Sequence, residues 1–361
     1  MTLSVATAGA QAAIEWLDTI CDVGVFDEGA PPLAGSVRFA NVGDSPVIIT
    51  HVQPTCGCTA AGYPSTATQP GDTAEIRLVY TPIGRPGPFS KDIFVYTDCE
   101  GQKKTVIAVT GRMRGTPESI DRYYPARAGG QRLSRVTLPA GEQTRGRMRN
   151  VTTVVYNTRP DTVVLTAADT IGTSLAAGNN YLSVHLVNPI VEPAGACSIA
   201  IFVDTRFAPQ WGFNEDTVTL YARPLNTALP ADTIRLVVTA IVNEDFSTLN
   251  AEQMADAPVA ALSTKHIDIG DIATGTRPAP VVFRVKNSGR TDDLIVRRVY
   301  TPGGGKADCS RRLLHPGEEA LITVTPPAPQ ADEPTFVYHV DLITNDPLHP
   351  VQQVKITGLL K

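Results

Sequence analysis

The stretch Ser36-Val37-Arg38-Phe39-Ala40-Asn41-Val42-Gly43-Asp44-Ser45-Pro46 decides the fold of this chain. Its first half alternates apolar and polar side chains with period two, the mark of a strand with one buried face. Its second half is a run of turn formers. The pattern returns near the C-terminus, where Val281-Val282-Phe283-Arg284-Val285-Lys286-Asn287 stands in the same place. Gly24 precedes Asn41 by 17 residues and Asn41 precedes Gly71 by 30; Gly270, Asn287 and Gly317 repeat both intervals. Each segment then reaches a Thr-Asp or Thr-Asn-Asp turn (Thr97-Asp98; Thr344-Asn345-Asp346), and a Thr-Gly pair closes it at Gly111 or Gly358. One structural unit is therefore used more than once.

Outward from Asn41, the first unit continues as Val47 to Val52, Thr73 to Tyr80 after the Pro70-Gly71-Asp72 turn, Lys91 to Thr97 and Lys103 to Thr110. No stretch shows helical periodicity with caps, so short strands at this spacing predict an antiparallel β-sandwich. The last unit repeats the plan through Leu294 to Val299, Glu319 to Thr325, Tyr338 to Thr344 and Val351 to Thr357. Between them lies a looser copy. Asn157, at the end of Val154-Val155-Tyr156-Asn157, takes the Asn41 position, Pro193-Ala194-Gly195 takes the Pro-Gly turn, and Thr239-Ala240 replaces Thr-Gly. Its Asn157-to-Gly195 interval is 38 residues rather than 30. The expected organisation is a residual signal-peptide-like segment (1–13), sandwiches over 14–115, 116–247 and 261–361, and a small, acidic linker over 248–260.

Composition fits folded material: 42% of the 361 residues are hydrophobic and only 19% charged, while 29 Gly and 29 Pro suit many turns. A net charge of −5 leaves no basic excess to displace counterions, so no nucleic-acid partner is expected. No run of about 18 apolar residues occurs, so no helical membrane span is expected. The segment Leu3 to Ala12 is small and apolar and carries Ala-x-Ala patterns, which is how the distal half of a secretory signal peptide reads. The expectation is export to the periplasm or cell surface of a Gram-negative bacterium, with the chain starting inside the signal. The alternative is a floppy cytoplasmic N-terminus.

The first unit resembles the bacterial secreted family known as domain of unknown function 1573. The residues that carry the likeness are Asp22-Val23-Gly24-Val25-Phe26, Phe39 to Ile49 with its Asn-x-Gly-Asp core, Val52-Gln53-Pro54-Thr55-Cys56-Gly57-Cys58-Thr59, Pro70-Gly71-Asp72 and Gly87 to Lys91. These elements occur together and in order across about residues 14 to 113. The resemblance implies an all-β chain of tandem immunoglobulin-like antiparallel β-sandwiches, of the major-sperm-protein and abnormal-spindle/hydin kind, often exported and with no enzymatic activity established.

The repeat also sorts the candidate chemistry. Cys56-Gly57-Cys58 occurs in the first unit, whereas the last unit holds Gly303-Gly304-Gly305 at the equal offset. Three readings stand: structural thiols around a bend that Gly57 permits, including a disulfide to Cys99 or Cys21; a redox-active ring disulfide; or two thiolates capturing a soft ion such as Cu(I) or Zn. A metal site normally needs three or four ligands, so no metal site is assigned, with Cys56 and Cys58 the candidates for one. His51 is the tempting extra ligand, but its counterpart is Arg298, which predicts a solvent-facing strand. Cys21 and Cys99 could bridge each other or meet the Cys-Gly-Cys bend, and the pairing turns on whether Ala60 to Gln69 forms an edge strand. Cys197 and Cys309 read as isolated. The basic run Arg145-Gly146-Arg147-Met148-Arg149 reads as a solvated strand face. No phosphate-binding loop, His-Glu-x-x-His or Gly-x-Ser-x-Gly motif appears. The chain is therefore expected to be no enzyme and to need no cofactor. It reads as an envelope-associated binding or structural module whose partner is another protein or an envelope component, with thiol redox or copper handling at Cys56 and Cys58 as the alternative.

Overall fold

A computed structural model describes residues 11–168, 180–225, 230–273, 275–329 and 335–361. The signal-like segment therefore lies almost wholly outside the described residues. The first unit consists of β1 (Ile14–Trp16), β2 (Ile20–Asp27), β3 (Leu33–Asn41), β4 (Ile49–Pro54), β5 (Thr59–Gly62), β6 (Thr73–Tyr80), β7 (Gly87–Thr97) and β8 (Lys104–Arg114). Helix α1 (Pro117–Tyr123) leads into β9 (Ala126–Ala128), β10 (Gln131–Leu133), β11 (Thr137–Thr144), β12 (Met148–Asn157) and β13 (Val163–Ala167). The second unit continues through β14 (Leu182–Val187), β15 (Ile190–Val191), β16 (Ala196–Asp204), β17 (Gly212–Pro224) and β18 (Asp232–Asn243). After α2 (Ala251–Asp256) come β19 (Ala260–Leu262), β20 (His266–Ile272), β21 (Val281–Asn287), β22 (Leu294–Tyr300) and β23 (Lys306–Cys309). The third unit ends with β24 (Leu313–Leu314), β25 (Glu319–Thr325), β26 (Thr335–Thr344) and β27 (Val351–Leu360).

Each unit is two facing sheets. In the first, the order β1-β3-β6-β5 packs against β2-β8-β7-β4; in the third, β19-β21-β25-β23 packs against β20-β27-β26-β22-β24. The second pairs β14-β16-β12-β10-β9 with β11-β18-β17-β13-β15. Three hydrophobic cores follow from the period-two alternation: Val37, Phe39, Ile76, Leu78 and Ile93 lie inside the first, and Phe283, Val285, Ile322 and Val340 inside the third. The second closes around Leu138, Val155, Ile199, Leu220 and Leu236. Tandem β-sandwiches are thus the architecture, antiparallel apart from one parallel pair in each unit (β2 with β8, β11 with β18, β20 with β27).

That parallel pair explains the glycine intervals. Gly24 and Gly270 bulge out of β2 and β20 at φ of 73° and 68°. A Cβ on Gly111 or Gly358 would come within 3.0 or 2.8 Å of the bulging carbonyl opposite. Close backbone approach therefore requires glycine at Gly111 and Gly358, whereas at Gly24 and Gly270, where a Cβ would meet nothing within 4 Å, it is the positive φ that favours glycine. In the second unit the bulge falls at Ala140, and Gly141, at φ 73°, pairs with Ala240, the residue that stands in place of the Thr-Gly glycine.

Three sequence expectations need correction, and one question that the sequence left open is answered. The Pro-Gly landmark of the second unit is Ala194, not Gly195: the Gly71, Ala194 and Gly317 N–H groups donate to the carbonyls of Asn41, Asn157 and Asn287 respectively. Ala194 reaches that turn with a φ of 58°. Capped helices are present: Thr116 Oγ1 accepts from Ser119 N at the start of α1, and Asn250 and Gln253 form a reciprocal capping box on α2. Consequently 248–260 is not an open linker, since α2 lies within it and Asp256 accepts from Asp292 N and Thr291 Oγ1 of the third unit. Finally, β5 is an edge strand, but it ends at Gly62 and covers only the start of the ambiguous Ala60 to Gln69 stretch.

Candidate functional site

The Cys-Gly-Cys motif lies where the chain leaves one sheet at β4 and enters the other at β5. Cys56 and Cys58 are joined in a disulfide across two positions, with Cα atoms 5.3 Å apart. Cys58 is buried in the first core and Cys56 is half-buried on its edge. The Thr59 hydroxyl lies 3.7 Å from the Cys56 sulfur and 3.9 Å from the Cys58 sulfur. Thr55 Oγ1 donates to the Asp92 carbonyl (2.8 Å), and the Cys58 carbonyl accepts from Thr81 N (2.8 Å). The corner is therefore tied to both sheets.

Gly57 does not serve as the motif suggested. Its φ lies outside the left-handed region, and a Cβ there would meet nothing within 4 Å. The corresponding Gly303 and Gly304 do occupy that region, at 62° and 83°, so the two bends differ in backbone shape.

Cys21 and Cys99 do not join the corner. Both are buried free thiols, and the Cys21 sulfur fills the space beside Gly35. Burial pushes both thiols up in pKa, with Asp22 adding to the effect at Cys21. Burial pushes Cys197 up to about 11 and also raises Cys309. Thiols held protonated in this way are poor nucleophiles. Among the described residues no group of three or more His, Cys, Asp or Glu comes together. His51 lies outside any such group, its ring 6.0 Å from that of Tyr96.

The expected solvent exposure of the Arg298 strand is overturned. The Arg298 guanidinium donates to the Trp211 carbonyl (3.0 Å) and to the Phe213 carbonyl of the second unit. Desolvation there holds its pKa below the usual guanidinium range. Arg297 pairs with Glu244 through two bonds of 3.0 and 2.6 Å, and the Phe213 and Tyr300 rings lie 5.7 Å apart. The Trp211 ring is flanked by Arg145 at 4.6 Å and Arg297 at 5.1 Å, a doubled cation–π contact. Arg145 also donates to the Ala208 carbonyl; that member of the basic run is thus an interface residue. Gly212, at φ 73°, passes so close to Ile343 that a Cβ would fall 2.2 Å from its Cδ1 atom. The β16–β17 loop of the second sandwich is therefore seated on the outer face of β22 and β26.

A second junction joins the first two sandwiches. Tyr124 is buried, stacks on Tyr156 at 4.9 Å, donates to the Pro86 carbonyl (2.7 Å) and accepts from Arg85 Nε (3.1 Å). Arg112 pairs with Glu192 across the same junction. None of these junction residues was singled out from the sequence as an interface. A Trp-Gly-Phe loop after Pro209-Gln210 was the available signal, because large aromatics in a turn need cover.

With this geometry in place, the likenesses to known proteins fall into order. Residues 14–113 match the family model described as a protein of unknown function, DUF1573. The first sandwich belongs to that family. Among solved structures, a protein of unknown function from Porphyromonas gingivalis W83 is 19% identical, covers 64% of this chain and 100% of its own, and gives a TM-score of 0.48. The periplasmic chaperone SfaE is 12% identical over 64% of this chain and 100% of its own, with a TM-score of 0.24. The ASH/PapD-like domain 7 of human CEP192 is 12% identical over 33% of this chain and 88% of its own, with a TM-score of 0.26. At these identities and TM-scores the structural likenesses bear on neither function nor site. No curated protein matches the chain.

Proposed function

We propose that the chain is a non-enzymatic binding or structural module of the bacterial envelope, and that its sandwiches recognise partners by seating a loop on a sheet face. The observation that carries this reading is the Trp211–Phe213 loop held on β22 and β26 by Arg298 and by the Arg145–Trp211–Arg297 stack. Aromatic and arginine anchors of this type dominate protein–protein contacts. The partner would be another protein or an envelope component. The Cys56–Cys58 disulfide and the Ala-x-Ala segment support export, since disulfides persist in oxidising compartments. Affinity capture from envelope fractions, followed by calorimetric titration with the protein found, should give a saturable complex. Turnover of a substrate in the absence of any binder would overturn the reading. Retention of the protein in the cytoplasm would overturn the envelope assignment.

The disulfide favours one second reading, thiol exchange at the β4–β5 corner, because Cys56 is only half-buried. A thiolate of a partner dithiol would attack one sulfur, and the other would leave and take up a proton. The partner's second thiolate would then close its own disulfide and release the first sulfur as a thiol, so that two electrons and two protons reach this chain. The same two sulfurs, once reduced, would be the pair of thiolates offered to Cu(I). Thiol titration at set redox potentials and metal analysis, compared with Cys56→Ser/Cys58→Ser, decide it: identical behaviour of the two proteins rules out both chemistries.

A further inference from the structure

Strands β4 and β5 are each the last strand of their sheet, so the corner that joins them lies on an open side of the first sandwich. Its two sulfurs are not equivalent there. Cys56 is half-buried between exposed Thr55 and Gly57, whereas Cys58 is 5% exposed and packed into the core. Thiol exchange needs a thiolate to reach one sulfur, and access decides which. A thiolate arriving from solvent meets Cys56. The bond that then breaks leaves its electron pair on Cys58, inside the core, where a charge is costly unless a donor faces it.

Thr59 supplies that donor. It is 6% exposed, and its hydroxyl lies 3.7 Å from Cys56 Sγ and 3.9 Å from Cys58 Sγ. Among the described residues the two sulfurs are the only hydrogen-bond partners of this hydroxyl. A buried hydroxyl is ordinarily matched with a good acceptor, yet sulfur without charge is a weak one. A thiolate is a charged acceptor and makes a much stronger bond. The hydroxyl is therefore poorly matched while the disulfide is intact and well matched once it breaks. An interaction that strengthens along the reaction speeds the step. At the corresponding corner of the third sandwich, Gly303-Gly304-Gly305-Lys306 carries neither sulfur nor hydroxyl. The hydroxyl thus accompanies the sulfurs and is no part of the shared scaffold.

Resting on the thiol-exchange reading, we propose that Cys56 is the sulfur attacked by the partner dithiol, that Cys58 is the leaving sulfur, and that the Thr59 hydroxyl stabilises the departing Cys58 thiolate. The partner–Cys56 bond forms as the Cys56–Cys58 bond breaks. Cys58 takes up a proton from water, and Thr59 keeps its own. The partner's second thiolate then attacks the partner sulfur of the mixed disulfide and releases Cys56, which is protonated in turn. One dithiol is oxidised to a disulfide and this disulfide is reduced to two thiols.

The direction of attack is read on the folded native chain with excess glutathione as a single-thiol probe. After an acid quench and alkylation of free thiols, peptide mass spectrometry should find glutathione on Cys56 and the alkyl group on Cys58. Thr59→Val keeps the side-chain shape and removes the hydroxyl. It should slow reduction by dithiothreitol about tenfold with unchanged circular dichroism. It should also raise the pH at which iodoacetamide alkylates Cys58 in the reduced chain, a readout that a packing role alone would leave in place. Thr59→Ser restores the hydroxyl and should recover most of the rate. Glutathione found on Cys58, or equally on both sulfurs, overturns the assigned direction while thiol exchange stands. A native rate and pH profile in Thr59→Val overturn the role of Thr59 in the same way. A disulfide that neither probe reduces in the folded chain overturns the thiol-exchange reading itself, and this inference with it.

Discussion

Asn41, Asn157 and Asn287 carry out the same task three times. Each side-chain amide donates to two backbone carbonyls: Ser45 and Thr68, Asp161 and Val191, Asp292 and Leu314. The amide oxygen then accepts the N–H two residues on, from Gly43, Arg159 or Gly289. A buried carbonyl that loses its donor keeps the full desolvation cost. Asn41→Ala should therefore lower stability by about 3 kcal/mol, read from the denaturant midpoint. The turn opposite gives a paired expectation. Gly71→Ala places a methyl at φ 81° and should cost about 1 kcal/mol. Ala194→Gly relieves the same strain but loses a buried methyl, so the two effects should cancel to within about 0.5 kcal/mol. Exposed His315 is held above the usual imidazole pKa by its hydrogen bond to Asp293, with Asp293 and Glu318 charges adding. Its contribution is present in full below the ordinary imidazole pKa and is lost as pH rises through the raised one. An NMR titration should show the elevated midpoint, and Asp293→Asn should bring it down.

At the scale of elements, the β4–β5 corner is where a strand changes sheet, and the disulfide spans only two positions there. So short a loop removes little chain entropy, and Cys56→Ser/Cys58→Ser should cost about 1.5 kcal/mol or less in thermal unfolding. Gly57→Ala should change stability by less than about 0.5 kcal/mol, since its side chain would point into open space at an ordinary φ. A larger loss would mean that the corner needs glycine after all. The strands themselves were legible in the sequence, because Ser36 to Asn41 and Val281 to Asn287 alternate against their own cores. The helices were not. Helix α1 is seven residues long and α2 six, too short for a periodic stripe, and their caps Thr116 and Asn250 become informative only once the helices are seen.

For the molecule as a whole, the junctions decide whether the sandwiches behave as separate beads or as one array. Arg298→Ala removes two charge-assisted hydrogen bonds from the second junction, a loss of about 2–3 kcal/mol. The third sandwich should then unfold in its own calorimetric transition, and proteolysis should accelerate between Glu244 and Asn250. One cooperative transition with unchanged cleavage would show that the junction contributes little. The sequence by itself determined the repeat, the strand faces, the glycine pairs of the parallel strands and the uniqueness of Cys56 and Cys58 to the first unit. All of these follow from what a residue needs within its own sandwich. Only the tertiary structure decided that Cys56 bonds Cys58 while Cys21 and Cys99 stay apart, and that Arg298 lies under a neighbouring loop while His51 does not. An outward position carries the same period-two signature whether water or another sandwich covers it, so packing between units leaves no trace in the alternation.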